Sequence, residues 1–122
     1  MDWKPLAHVV ALAVTVGLAA CEAESAVPKT SEADRGAKLI ATTGCGMCHQ
    51  IPGIAGADGE IGPPLDHIAS RVYIAGMLRN SPENLSAWIQ HPQTYVPGNA
   101  MPEMGVSADD ARSIAAYLDT LR

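Results

Sequence analysis

The 122-residue chain contains no phenylalanine, only two tryptophans and three tyrosines. A domain of this size cannot fill its interior with large aromatic rings. Another filler is needed, and a buried prosthetic group would supply it. Basic residues are also scarce: eight Lys and Arg stand against thirteen Asp and Glu, for a formal net charge of −5. That balance argues against nucleic acid as a partner. It is compatible with a basic docking surface or with plain solubility. From Glu32 onward there is no internal repeat, no low-complexity tract and no sustained alternation of apolar and polar residues. A sheet-based fold therefore has no support, and the length allows one domain at most.

The longest apolar run, Leu6 to Ala20, follows Lys4. It is short for a bilayer-spanning helix, and its length suits the hydrophobic region of a secretory signal peptide. It ends in Leu18-Ala19-Ala20-Cys21, which resembles the lipobox of bacterial lipoproteins. In that family cleavage precedes the cysteine, which then carries the lipid. The resemblance implies a lipoprotein-type signal peptide over 1–20, with Cys21 lipidated. Two or more acyl chains hold a domain stably at a membrane, whereas one does not. Residues 21–31 are mostly small and polar and include a proline, so they read as a flexible tether to a domain over 32–122.

Helix signals punctuate that domain. Ser31 is a candidate N-cap for a helix from about Glu32 to Ala41, with Gly36, Leu39 and Ile40 inward. Gly53 to Pro64 is loop. Ser81-Pro82-Glu83 opens a second helix that carries Leu85, Trp88 and Ile89 and stops before Pro92. Ser107 caps a last helix in which Asp110 can reach back, and Ile114, Ala115, Tyr117, Leu118 and Leu121 keep helical spacing to the end. The expected fold is all-α, with long loops that need something to wrap around.

Cys45-Gly46-Met47-Cys48-His49 carries the chemistry. C-x-x-C-H is the attachment signature of c-type haem. Sulfurs at i and i+3 share one face of a helical turn, where both can bond one porphyrin. His49 then faces the iron from the proximal side. A structural zinc site would need four ligands, and His67 and His91 are too scattered to complete it. A thioredoxin-type centre would need a β-α-β pattern. The sixth iron position calls for a further ligand, and Met/His ligation raises the reduction potential. The candidates are Met77, Met101 and Met104; Met101 sits in the irregular stretch Tyr95 to Pro102, and loops with positioned side chains tend to be functional.

With these residues in place, the sequence resembles a class I c-type cytochrome over nearly all of Glu32 to Leu121. The resemblance implies the small cytochrome c fold, with crossed terminal helices, short helices and long loops around one covalent haem c. Gly36 and Tyr117 resemble the pair at the helix crossing. Gly62-Pro63-Pro64-Leu65 is similar to the family's Gly-Pro-x-Leu, which implies that the Pro63 carbonyl accepts the imidazole N–H of His49. Arg71 stands where the family often places an arginine near a haem propionate. In the family register Met101 is the second axial ligand with His49, and Met104 is the runner-up. Trp88 takes the place of a pocket aromatic, and Ile89 packs on the haem face. Three departures stand out: Ile40 where Phe is frequent, Trp88 where Tyr is frequent, and one extra residue between Gly36 and Cys45. Tyr73 and Asn80 read as solvent-facing loop, with a propionate or pocket contact as the alternative, and His67 and His91 as surface residues.

The function implied is outer-sphere transfer of single electrons in a respiratory chain, from a quinol-oxidising complex toward a haem-copper oxidase, with no small-molecule substrate. The expected location is the periplasmic or extracytoplasmic face of a bacterial membrane. The alternatives are a haem-based gas sensor or haem enzyme with a labile sixth ligand, and a cytochrome subunit of a larger membrane oxidoreductase.

Overall fold

The computed structural model describes Met1 and residues 31–122; the expected signal peptide, the lipidation expected at Cys21 and the expected tether up to residue 30 lie outside the described residues. The first helix, α1, spans Glu32–Thr43 and begins with a capping box. Ser31 Oγ accepts from the Asp34 amide at 3.1 Å, and the Asp34 carboxylate accepts from the Ser31 amide at 3.2 Å. The helix runs past the expected Ala41. The Thr42 and Thr43 hydroxyls turn back to carbonyls one turn earlier, and Gly44 ends the helix at φ 82°. That left-handed geometry suits glycine.

A tight turn over Cys45–Met47 leads into the long loop, which ends in a second such turn at Ile68–Ser70. A small antiparallel hairpin follows, β1 (Tyr73–Ile74) and β2 (Leu78–Arg79), with Tyr73 opposite Arg79 and Ile74 opposite Leu78. Two residues per strand are too few to leave a periodic trace in the sequence. Asn80, expected to face solvent, instead turns inward. Its side-chain amide donates to the carbonyls of Ile68 at 2.7 Å and Arg71 at 2.9 Å, closing the hairpin onto the preceding turn.

Helix α2 (Pro82–Gln90) is capped by Ser81, whose hydroxyl accepts from the Asn84 amide at 3.2 Å. The backbone amide of Glu83 itself and the Ser81 hydroxyl hold the exposed Glu83 carboxyl below its ordinary pKa. A carboxylate lowered in this way favours the fold above its unfolded pKa and loses that effect as pH falls through the lowered value. One turn of helix, α3 (Pro92–Tyr95), follows and takes in Tyr95, the first residue of the stretch expected to be irregular. The final helix α4 spans Ala108–Leu118 and starts from Ser107. It ends before the apolar spacing does, yet Leu121 still packs on the core and its carbonyl accepts the Ala69 amide at 3.0 Å.

Helices α1 and α4 cross where Gly36 meets Ser113 and Tyr117. A Cβ on Gly36 would overlap the Ser113 carbonyl and stand 2.6 Å from its carbon and 3.0 Å from Tyr117 Cβ. Hydrogen at this position is what lets the two backbones touch. Beside the crossing, Arg35 donates to Ser113 Oγ at 2.9 Å and pairs with Asp110. Tyr117 Oη donates to the Pro52 carbonyl at 2.7 Å, tying α4 to the loop after the attachment turn. Gly36→Val is therefore expected to destabilise the domain by about 3 kcal/mol or more, because backbone rather than a movable side chain blocks the new methyls. Arg35→Ala should cost only about 1 kcal/mol, since the pair is half exposed and screened. Chemical denaturation midpoints of the two variants check the contrast.

Candidate functional site

The interior of the domain holds a cavity of about 560 Å³. Its wall is mostly apolar and comes from every helix longer than one turn: Ile40 of α1, Leu85 and Ile89 of α2, Ile114 and Leu118 of α4. Set into this wall are four chemically distinct side chains, those of Cys45, Cys48, His49 and Met101. The volume lies within the range for small-molecule and cofactor sites.

The Cys45–His49 segment forms a single helical turn. The Cys45 carbonyl accepts both the Cys48 amide at 3.2 Å and the His49 amide at 3.0 Å. Both cysteines are free thiols, half-buried, and Thr43 Oγ1 lies 3.2 Å from Cys45 Sγ. The long loop is strapped back over this turn. The Gly59 amide donates to Gly46 O at 3.0 Å, Gly62 to Cys48 O at 2.7 Å, and Leu65 to Gln50 O at 2.8 Å.

These straps aim the imidazole. His49 Nδ1 lies 2.8 Å from the Pro63 carbonyl, which can only accept, so Nδ1 carries the hydrogen and Nε2 keeps its lone pair. Gly62 lies flat against the ring: a Cβ there would stand 2.6 Å from Nδ1 and 3.0 Å from Nε2. A glycine is required by this close approach, not by its φ.

Pro63, Leu65, Arg71, Trp88 and Ile89 also line the cavity. Arg71 is not a free cation there. Its guanidinium donates to the Pro64 carbonyl at 2.5 Å and the Asp66 carbonyl at 3.1 Å, bracing the loop that holds Pro63. Met101 and Met104 both reach the cavity, whereas Met77 is 64% exposed and does not line it. Tyr73 is half exposed, as expected of a solvent-facing residue, and also lies at the cavity, in strand β1 rather than in a loop. His67 and His91 stand on the surface, with His91 Nδ1 3.1 Å from the Glu103 carboxylate.

Among the described residues no cluster of three His, Cys, Asp or Glu is placed to hold a bare metal ion. The donor set suits a metal that arrives inside an organic ring. Two thiols can anchor the ring, an oriented imidazole and a thioether remain for the iron, and the apolar chamber can take its faces. The residues fit haem c.

Sequence reasoning missed Gln93 and Asn99, whose amides knit the loop around Met101. Their only advance signal was the company of Pro97 and Gly98, which marks a turn without saying which side chains close it.

Comparison with known proteins agrees. Residues 33–122 match the family model for cytochrome c. A cytochrome c oxidase subunit 2 from Alkalihalophilus pseudofirmus is 36% identical over 101 residues, covering 82% of this chain. The chain spans only 29% of the length of that relative. The crystal structure of the c-type cytochrome SorU from Sinorhizobium meliloti superposes with a TM-score of 0.52 at 19% identity, covering 74% of this chain and 90% of that one, which shows a shared fold. The chain belongs to the cytochrome c family, as a class I c-type cytochrome whose cofactor is a covalently bound haem c.

Proposed function

We propose that this cytochrome carries single electrons to a terminal oxidase of a respiratory chain. The observation that carries the reading is the convergence of Cys45, Cys48, His49 and Met101 on one apolar cavity. Haem iron supplies one-electron chemistry between its ferrous and ferric states. The chain's own residues set the conditions. Cys45 and Cys48 hold the ring covalently. Pro63 fixes the His49 tautomer and leaves Nε2 for the iron, an outer-shell bond of the kind that orients metal-ligating histidines. Met101 would supply the second protein ligand to the iron, and a thioether in that role raises the potential. The apolar wall keeps water from the centre, which also tunes the potential.

The oxidase assignment draws on the relative whose printed name is cytochrome c oxidase subunit 2. That same similarity favours a second reading, in which the domain is a cytochrome subunit of a larger membrane oxidoreductase. Electron transfer is the chemistry in both. Donation from a quinol-oxidising complex completes the proposed circuit, through the small transient contacts usual for redox encounters. Cys21 carries the lipid anchor in this account, on the periplasmic or extracytoplasmic face. A tethered domain searches a small volume and meets a membrane partner at high effective concentration.

Adding carbon monoxide to the reduced protein should leave its visible spectrum unchanged. Met101→Ala should become reactive to carbon monoxide and show a lower reduction potential in a redox titration. A spectrum that shifts in the unaltered protein would move the gas-sensor or enzyme reading ahead. Cys21→Ser should move the protein from the membrane to the soluble fraction after cell fractionation; retention at the membrane would refute the lipid anchor.

A further inference from the structure

We propose that Gln93 and Asn99 are positioning residues that hold Met101 in place to serve as sixth ligand, an inference that rests on the ligand role given to Met101 above. Gln93 stands in the single turn of α3, and its amide works in both directions. Its Nε2 donates to the Met101 carbonyl at 2.8 Å and the Asn99 carbonyl at 3.0 Å, while its Oε1 accepts the Gly98 amide at 2.9 Å. Asn99 closes the circuit. Its Oδ1 accepts the Met101 amide at 2.8 Å, and its Nδ2 donates to the carbonyls of Val96 at 2.6 Å and Pro92 at 3.1 Å.

Both backbone polar groups of Met101 are therefore held by side chains, in a stretch that belongs to no helix or strand. A flexible thioether is placed only as well as the backbone that bears it, so bracing the backbone of a ligand preorganises the ligand. Met104 gives the contrast. It lines the same cavity from three residues further on, is 39% exposed, and its backbone makes no hydrogen bond among the described residues. The bracing, rather than residue type, distinguishes the two methionines. Carboxamides do not ionise, so this brace holds Met101 equally across the physiological pH range.

The test uses the haem-loaded protein in a Met104→Ala background, so that the neighbouring methionine cannot stand in. Gln93→Glu keeps an acceptor for Gly98 but cannot donate to the two carbonyls. Asn99→Asp keeps the acceptor for the Met101 amide, and Asn99→Leu removes it. Carbon monoxide affinity of the reduced protein is read optically, with thermal unfolding of each variant as the structural control. Gln93→Glu and Asn99→Leu are expected to raise the affinity about tenfold, in line with losing one or two net hydrogen bonds around the ligand. Asn99→Asp should recover much of the difference from Asn99→Leu. Affinities for Gln93→Glu and Asn99→Leu within about twofold of the Met104→Ala parent would overturn the proposal. In that event a reactive Met101→Ala control would show that the ligand assignment itself still stands. An unreactive Met101→Ala control would remove that assignment and this inference together.

Discussion

The rest of the structure depends on an apolar chamber that the protein's own atoms leave open. Of the ten buried apolar residues among those described, all but Ala111 and Ala115 also line the cavity. The hydrophobic core and the cofactor site are one surface. This explains how a chain without phenylalanine can fold at 122 residues. Its aliphatic side chains form a shell, and the haem supplies the interior that the shell encloses. The helix crossing at Gly36 then acts as the frame, bringing Ile40 of α1 and Ile114 and Leu118 of α4 to the same cavity wall.

A second consequence concerns the loops. Irregular backbone is usually mobile and peripheral. Here the segment from Gly53 to Leu65 is tied to the attachment turn at Gly46, Cys48 and Gln50, and the segment from Val96 to Met101 is tied by Gln93 and Asn99. The two segments deliver the features that complete the iron site in the proposed reading: the carbonyl that orients His49 and the thioether of Met101. Rigidity comes from amide and carbonyl pairing that belongs to no helix or sheet ladder. Such pairing keeps buried backbone groups satisfied while leaving the side chains free to face the cavity.

Much of this was legible in the sequence where the physics is local. The capped starts at Ser31, Ser81 and Ser107 declared themselves because a cap acts within four residues. The C-x-x-C-H turn was equally local, and its five residues imposed the haem reading before any fold was known. Spacing put Gly36 and Tyr117 on the inward faces of their helices, but their pairing was legible only through family resemblance, since nothing within α1 or α4 announces the other helix. The structure adds the reason, a backbone contact too close for a Cβ. Tertiary placement stayed hidden elsewhere. Asn80 looked like loop surface, yet it bridges two carbonyls from residues distant in the chain. Arg71 lines the cavity, but its hydrogen bonds to the loop carbonyls of Pro64 and Asp66 left no sign in the sequence. These side-chain contacts span five to twelve residues of irregular chain, a separation that no periodicity records.

The central claim, that cofactor and core are the same object, is tested most directly by amide hydrogen exchange. The haem-loaded protein would be compared with a Cys45→Ala, Cys48→Ala variant produced without haem. Strong protection of α1, α2 and α4 is expected in the loaded protein, with collapse of that protection in the haem-free chain, because the shell closes on nothing. Equal protection in both would contradict it, and would mean that the polypeptide builds a self-sufficient core.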